Sequence, residues 1–167
     1  FNGSMVISAV IFIIEEETGK AYFINAEHPY SVLYRDGRAT FIEEEIHLRK
    51  IGFDTDVDFQ VESLQLAAGD VIILGSDGRD DINLTPNMPN RTINEDETIF
   101  LGFVEKANSN LSEIIHLIES MGNVIDDLSL LRIGYKEDYS QVEETPLEPD
   151  IITSSDIMIQ VNKDGST

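Results

Sequence analysis

Hydrophobic and polar positions along the first part of the chain form short runs separated by glycine and aspartate. Residues 5–14, which read MVISAVIFII, are apolar almost throughout, and this is typical of a strand buried on both faces. The pair TG at residues 18–19 predicts a turn into a second strand over residues 21–26, so these two strands form a hairpin. The pair DG at residues 36–37, inside SVLYRDGRATFI, predicts another hairpin.

The strand pattern continues through the middle of the chain, and a helix follows it. Residues 59–66 alternate, and residues 71–74 form an unbroken aliphatic strand. NLSEIIHLIESMG has apolar residues at helical spacing, with Asn110 as N-cap and Gly122 at its end, and DDLSLLRIGY returns to strand character. An antiparallel meander is the simplest topology. The candidate core positions are Phe59, Val61, Leu64 and Leu66 in the alternating run and Leu111, Ile114, Ile115, Leu117 and Ile118 in the helix.

The composition changes after residue 135. KEDYSQVEETPLEPD is acidic, contains proline and has few aliphatic residues, which is typical of a linker. We therefore expect a domain over residues 1–135 and an acidic linker or tail over residues 136–167, which can lead to a further domain. Within the tail, residues 157–161 predict a short strand-like piece that pairs with a sheet edge or continues into that domain.

The charge and the residue types exclude several classes of function. The 167 residues include 32 acidic and 11 basic ones, and the net charge of -21 repels nucleic acids and anionic lipids. Because cysteine is absent, any metal must be held by oxygen or histidine. The longest apolar run is shorter than the roughly 20 residues of a membrane helix. We expect no nucleic-acid partner, no membrane insertion and a cytoplasmic location.

Two acidic residues stand at the ends of apolar strands. Asp77 closes VIILGSDG, and Asp126 opens the approach to LSLLRI. If these strands are antiparallel neighbours, the two carboxylates meet at one sheet edge, within about 4 to 8 Å, where a divalent cation would relieve their repulsion. The alternative is that residues 76–78 form only a turn and residues 126–127 only a strand entrance.

Other acidic runs give weaker signals. DTDVDF, at residues 54–59, has acids at the first, third and fifth places of a calcium loop. It lacks the glycine at place six and the glutamate at place twelve, so we interpret it as a solvated loop. The glutamate runs at residues 15–17 and 43–45 are interpreted as strand-end or loop charges without a chemical role.

Three segments carry a family resemblance. INAEHPYSVLYRDG, LQLAAGDVIILGSDG and DDLSLL, in this order, resemble motifs of the metal-dependent protein phosphatase (PPM) family, in the bacterial branch typified by the sporulation stage II protein E phosphatase. The resemblance extends from Met5 to about Gly134. It implies an α+β fold with an antiparallel β-sandwich flanked by helices, in αββα order. The chain departs from the family pattern at Glu27, where glycine is usual, and at Ser76, where threonine is usual.

The resemblance also implies site residues. Asp77 and Asp126 match ligands of a two-metal Mn²⁺ or Mg²⁺ centre, through which they would take part in catalysis, and Gly78 and Asp127 are secondary candidates. The pair His28-Pro29 matches the family's Ala-Gly-His-Pro segment, and we interpret it as structural.

The activity implied by the resemblance is hydrolysis of phosphoserine or phosphothreonine on a signalling protein, such as an anti-sigma-factor antagonist in bacterial sigma-factor regulation. Family members carry upstream strands with a further Asp-Gly motif, which this sequence lacks. We therefore expect the chain to be the C-terminal portion of the domain, incomplete at its N-terminus. By itself it would be a poor phosphatase, and its open sheet edges could pair in a homodimer.

Two alternatives remain open. The domain could be a pseudophosphatase or protein-interaction module that keeps the sandwich without a functional metal centre. It could also be a general acidic β-domain that binds calcium through surface carboxylates.

Overall fold

The computed structural model describes residues 5–44, 49–52, 58–86 and 88–137, together with the backbone of residues 159–160. A short 3-10 turn, Asp77–Arg79, follows the sixth strand. Within these ranges the strands are β1 (Ala9–Ile14), β2 (Lys20–Ala26), β3 (Val32–Arg35), β4 (Arg38–Phe41), β5 (Glu62–Gln65), β6 (Val71–Gly75), β7 (Ile82–Asn83), β8 (Asn123–Val124), β9 (Leu130–Gly134) and β10 (Ile159–Gln160), and the helices are α1 (Thr98–Lys106) and α2 (Leu111–Met121).

Two sheets pack face to face. The first has the order β1-β2-β5, and the second has the order β10-β9-β6-β3-β4. All pairs in them are antiparallel except β10, which lies parallel to β9. Buried side chains from both sheets form one apolar layer, which removes their facing surfaces from water. This layer contains Ala21, Leu33, Leu66, Ile72 and Tyr135.

The two helices cover the other face of the second sheet. Phe100 and Val104 of α1 and Ile114 and Ile118 of α2 pack against strand residues such as Ile73 in the larger core cluster. The predicted α+β class, with an antiparallel sandwich and helices, is confirmed. In the described part of the chain the helices form one layer.

Both predicted hairpins are present. Strands β1 and β2 pair with Ile13 opposite Tyr22. Strands β3 and β4 are joined at Asp36 and Gly37, whose φ angles of 51° and 78° are both positive. A two-residue turn with two positive φ angles matches the right-handed twist of the strands, and the Asp-Gly pair tolerates it well.

The prediction that residues 5–14 form a strand buried on both faces is wrong. Strand β1 lies at an edge of its sheet, and alternate side chains point outward, so that Ile11 is 49% and Ile13 is 66% exposed. Val61, a predicted core residue, is 61% exposed because it lies on the same outer surface just before β5. The apolar run thus predicted a strand, which begins at Ala9 and not at Met5, but it did not predict the number of layers that cover it.

Helix α2 begins as the sequence predicts. The side chain of Asn110 accepts a hydrogen bond from the Glu113 amide at 3.1 Å, and the helix runs from Leu111 to Met121. Its predicted stripe supplies the buried residues Leu111, Ile114 and Ile118. The preceding helix α1 was not predicted as a separate element.

The tail is described only at β10, where Ile159 pairs with Leu131 and Gln160 with Arg132. A short strand at a sheet edge agrees with the prediction for residues 157–161. Residues 138–158 of the predicted linker and the acids at 54 and 56 lie outside the described residues. None of the described helices is long and apolar enough to span a membrane.

An ion pair fixes the start of β6 against β3. Both side-chain oxygens of the buried Asp70 accept hydrogen bonds from Arg35, at 2.8 and 2.5 Å, and one also accepts the Ala67 amide at 2.7 Å. Burial alone would raise the pKa of Asp70. The hydrogen bonds from Arg35 and Ala67 outweigh it, so the pKa lies below its ordinary value.

Because the folded state lowers this pKa, Asp70 contributes stability above its unfolded pKa and loses it as the pH falls through the folded value. We expect Asp70→Asn to reduce the free energy of unfolding by about 2 kcal/mol at neutral pH, since the Arg35 contacts lose their charge. Urea unfolding should show the difference from wild type shrinking below about pH 4. The exposed Asp58→Asn is the control, and a difference independent of pH would contradict the assignment.

Glu27 adopts a backbone conformation that favours glycine. Its φ angle is +53°, in the left-handed region, and its carboxylate lies 3.6 Å from the Lys50 ammonium. This explains physically why the family motif has glycine at the matching place, because glycine has no Cβ to oppose a positive φ.

We expect Glu27→Gly to raise the free energy of unfolding by about 0.5 to 1 kcal/mol, because the relief of backbone strain exceeds the loss of an exposed ion pair. Glu27→Ala is the matched control, since it removes the carboxylate and keeps the strain. Thermal or urea unfolding that finds glycine no more stable than alanine would refute this explanation.

Candidate metal centre

The candidate centre lies where β6 ends beside the start of β9. The two strands are antiparallel neighbours, and their last pair joins Gly75 to Leu130. Asp77 follows β6 and Asp126 precedes β9, so both lie at the same edge of the sheet. The antiparallel arrangement on which the sequence prediction depended is therefore present.

The hydroxyl of Ser76 ties the two chain segments together beyond the strand ends. The Ser76 amide donates to the Ser129 carbonyl at 2.9 Å, and the Ser76 hydroxyl accepts the Ser129 amide at 2.9 Å. The same hydroxyl donates to the Asp127 carbonyl at 2.7 Å. These bonds set the separation between the backbone before Asp77 and the backbone after Asp126.

Gly78 lets the chain after β6 lie closer to the backbone of Asp126 and Asp127 than any residue with a Cβ would allow. A Cβ at this position would lie 2.5 Å from the Asp127 carbonyl oxygen and 3.0 Å from that of Asp126. Both distances are too short for unstrained contact, and the obstacle is backbone rather than a movable side chain. Gly78, a secondary site candidate, therefore acts through close packing of the two segments.

A third acid, Asp81, is brought next to Asp77 and Asp126 with the help of a separate two-stranded sheet, β7–β8. The Asp81 amide donates to the Asp77 carbonyl at 2.9 Å, and the Ile125 amide donates to the Asp81 carbonyl at 3.1 Å. Strands β7 and β8, which come directly after Asp81 and shortly before Asp126, pair with each other. The turn and the ladder together bring Asp81 next to the other two acids.

One carboxylate oxygen from each of Asp77, Asp81 and Asp126 lies within 4.8 Å of the others. The ligand oxygens of Asp77 and Asp126 are therefore at most 4.8 Å apart, below the upper limit of about 8 Å expected from the sequence. Asp77 and Asp126 are exposed, and Asp81 is partly buried. Asp127, the other secondary candidate, is outside this group, and its amide donates to Asp126 Oδ1 at 2.7 Å.

The chemistry of this group suits a hard divalent cation. Three like charges within 4.8 Å repel one another, and among the described residues none of the three forms an ion pair with a basic side chain. Carboxylate oxygens are the ligands that Mg²⁺ and Mn²⁺ prefer. The donor set therefore fits the metals that the resemblance implies, and it can supply three of the ligands.

Gly78 and Arg79, which lie between Asp77 and Asp81, are buried. The Arg79 side chain is fully buried, its Nε donates to Asp80 Oδ2 at 2.9 Å, and its guanidinium stacks on Phe100 at 4.5 Å from the ring centre. Burial raises the pKa of Asp80, and the charge of Arg79 partly opposes this. Asp80 is therefore paired with Arg79 and is not one of the three clustered acids.

His28 lies close to the cluster without joining it. It lines a cavity of about 440 Å³ that Ser76 and Ser129 also line. Burial lowers the pKa of His28, the nearby charge of Arg79 lowers it further, and the charges of Glu43 and Asp77 act in the opposite direction. Of the two other histidines, His116 is exposed on α2, and His47 is outside the described residues.

Two comparisons with known proteins agree with this fold. The family model for stage II sporulation protein E (SpoIIE) matches residues 1–136. Among solved structures, the phosphatase domain of the cell fate determinant SpoIIE from Bacillus subtilis, presoaked with Mn, is 17% identical with a TM-score of 0.53, and the match covers 76% of this chain and 56% of that one. The RsbU and RsbW domains of Rv1364c from Mycobacterium tuberculosis are 23% identical with a TM-score of 0.55, covering 71% of this chain and 33% of that one.

At these identities the solved structures establish the fold alone. The chain spans slightly more than half of the Bacillus subtilis phosphatase domain, at 56%. None of the curated proteins matches the sequence. The family model covers most of the chain and includes the segments that carry the three acids. The chain therefore belongs to the stage II sporulation protein E family, as the resemblance of its motifs predicted.

Proposed function

We propose that this domain hydrolyses phosphoserine or phosphothreonine on a protein substrate, with Mn²⁺ or Mg²⁺ held by Asp77, Asp81 and Asp126. The observation that carries the proposal is the convergence of these three carboxylates within 4.8 Å at the ends of β6 and β9. Family membership supports the proposal, because the SpoIIE family model matches residues 1–136 of the chain.

The metal would supply the charge that this part of the protein lacks. When bound, a divalent cation neutralises phosphate oxygens and lowers the pKa of water, so that hydrolysis proceeds without a covalent enzyme intermediate. The chain's own contribution is to keep three oxygen ligands in place. Ser76 and Gly78 hold the backbone on either side of Asp77, while the β7–β8 ladder holds Asp81.

The proposed substrate class rests on the family resemblance of the sequence. One solved relative is described as the phosphatase domain of a cell fate determinant, and another combines RsbU and RsbW domains. We propose a phosphorylated signalling protein of the anti-sigma-factor antagonist type as the substrate. The sequence resemblance is the support for this choice.

The test compares hydrolysis of p-nitrophenyl phosphate and of a phosphoserine peptide with millimolar Mn²⁺ or Mg²⁺, for this chain and for its complete gene product. We expect turnover in the complete product and little in this chain alone, since three carboxylates supply only part of a two-metal centre. In the complete product, Asp77→Asn, Asp81→Asn and Asp126→Asn should each reduce kcat about 100-fold, because each removes a charged ligand.

Asp36→Asn is the matched control, because Asp36 lies in an exposed hairpin turn where asparagine is well tolerated. Turnover that survives all three cluster substitutions would refute the assigned centre. A wild-type protein that binds the metal but hydrolyses neither substrate would favour a pseudophosphatase. Binding of Ca²⁺ in preference to Mn²⁺ by calorimetry would favour an acidic calcium-binding domain.

A further prediction for the candidate metal centre concerns Ser76. We expect Ser76→Ala to weaken Mn²⁺ binding about tenfold and to lower the free energy of unfolding by about 1 kcal/mol, because the Ser129 amide and Asp127 carbonyl lose a partner. Ser76→Thr keeps the hydroxyl and should bind Mn²⁺ like the wild type. Calorimetric titration of both variants tests this, and equal affinities for alanine and threonine would show that the hydroxyl does not position the acids.

A further inference from the structure

Glu43 is a buried acid in a region where the sequence predicted only a surface charge. Its residue surface is 4% exposed. Its Oε1 accepts hydrogen bonds from Asn25 Nδ2 and from the Ser31 hydroxyl, each at 2.8 Å, and its Oε2 accepts the Ser31 amide at 2.8 Å. A carboxylate that is removed from water in this way is retained only where its hydrogen bonds are well satisfied.

These partners stand at the two ends of one loop. Asn25 is near the end of β2, Ser31 comes directly before β3, and residues 27–31 connect the two strands. Asn25 also accepts the amide of His28 on its Oδ1 at 2.8 Å. Glu43 therefore fixes both ends of the loop directly and its middle through Asn25.

The loop presents the His28 ring beside the candidate metal centre. Ring atom Nδ1 lies 3.1 Å from the Pro29 carbonyl oxygen, which can only accept a hydrogen bond. In the neutral ring, which the lowered pKa of the half-buried His28 favours, this contact places the proton on Nδ1 and leaves Nε2 as an acceptor. His28 lines the same cavity as Ser76, the residue that precedes Asp77, and the charge of Asp77 acts on the ring.

Because Nε2 of His28 is a hydrogen-bond acceptor, it can form a hydrogen bond only with a group that carries a donor. Phosphate oxygens are acceptors, so a neutral imidazole Nε2 gains no hydrogen bond from an ionised phosphoester. A phosphorylated residue within a polypeptide brings backbone N–H donors close to its phosphate, whereas a small aryl phosphate brings none. His28 is thus suited to distinguish a phosphopeptide from a small phosphoester.

We propose that His28 is a specificity-determining residue that accepts a hydrogen bond from a backbone N–H next to the phosphorylated residue, and that Glu43 is the positioning residue that holds it there. This inference rests on the proposed phosphatase function. Glu43 acts through Asn25 and Ser31 and does not itself contact the substrate.

The test compares two substrates in the complete gene product. We expect His28→Leu and Glu43→Gln each to raise KM for a phosphoserine peptide about tenfold, which corresponds to the loss of one hydrogen bond, while kcat/KM for p-nitrophenyl phosphate stays within about twofold. Glutamine has the size of glutamate but places an NH₂ group opposite a donor of Ser31 or Asn25. Glu44→Gln, the exposed neighbour, should leave both substrates unchanged.

A double variant separates positioning from a general structural effect. If Glu43 acts through His28, the Glu43→Gln/His28→Leu variant should be no worse on the peptide than His28→Leu alone. Should Glu43→Gln fail to fold, Ser31→Ala removes only the hydroxyl contact and should give the same substrate preference in weaker form. Equal losses on both substrates, additive effects in the double variant, or no change in peptide KM would each overturn the inference.

A spectroscopic measurement keeps this test separate from the proposed activity. Nitrogen-15 NMR of the imidazoles should find the proton of His28 on Nδ1 in the wild-type chain and a mixture of tautomers in Glu43→Gln, with His116 unchanged. If the wild type hydrolyses neither substrate, the proposed function fails. The tautomer of His28 would then be the test of the positioning role of Glu43, and a wild-type ring protonated on Nε2 would refute that role.

Discussion

The antiparallel pairing of β6 with β9 is the constraint on which the candidate site depends. It brings two segments that are about fifty residues apart in sequence to one edge of the sheet, with Gly75 opposite Leu130. Beyond this pair the ladder ends, and the Ser76 hydroxyl takes over as acceptor and donor between the two segments. Gly78 then lets the chain turn against the backbone of Asp127. A slip of one residue would turn the side chains to opposite faces and separate the acids.

Local sequence pattern predicted part of the candidate site. An aliphatic strand that runs into an Asp-Gly turn, and a pair of acids before another aliphatic strand, predicted Asp77 and Asp126 as neighbours on the condition that the two strands are antiparallel, and the family resemblance favoured this over a simple turn and strand entrance. Asp81 was missed because its place depends on β7 and β8, which are two residues long each and too short to leave a hydrophobic period. The signal available was its position four residues after Asp77, but no role was predicted for it.

Glu43 shows a different limit of sequence reading. It stands in a run of three glutamates, a pattern that is normally a solvated surface, and nothing local distinguishes it from Glu44. Its burial results from the pairing of β3 with β4, which places residue 43 beside the chain that enters β3. A related limit applies to β1, where an apolar run cannot reveal whether one or two layers cover the strand. Long-range packing decides the burial of Glu43 and the number of layers over β1, and the periodicity of the sequence carries no information about that packing.

The charges of the molecule give the proposed metal a second role. Two unit charges 4.8 Å apart repel by roughly 1 kcal/mol in water, and more where the surroundings are less polar. Because Asp77 and Asp126 are exposed, water screens them, and the three acids can lie together before any cation arrives. A phosphoprotein that approaches a chain of net charge -21 is itself repelled. Under the proposed function, the cation therefore provides both the chemistry and the local reversal of charge, so that phosphate binds at this edge of the sheet and not elsewhere on the acidic surface.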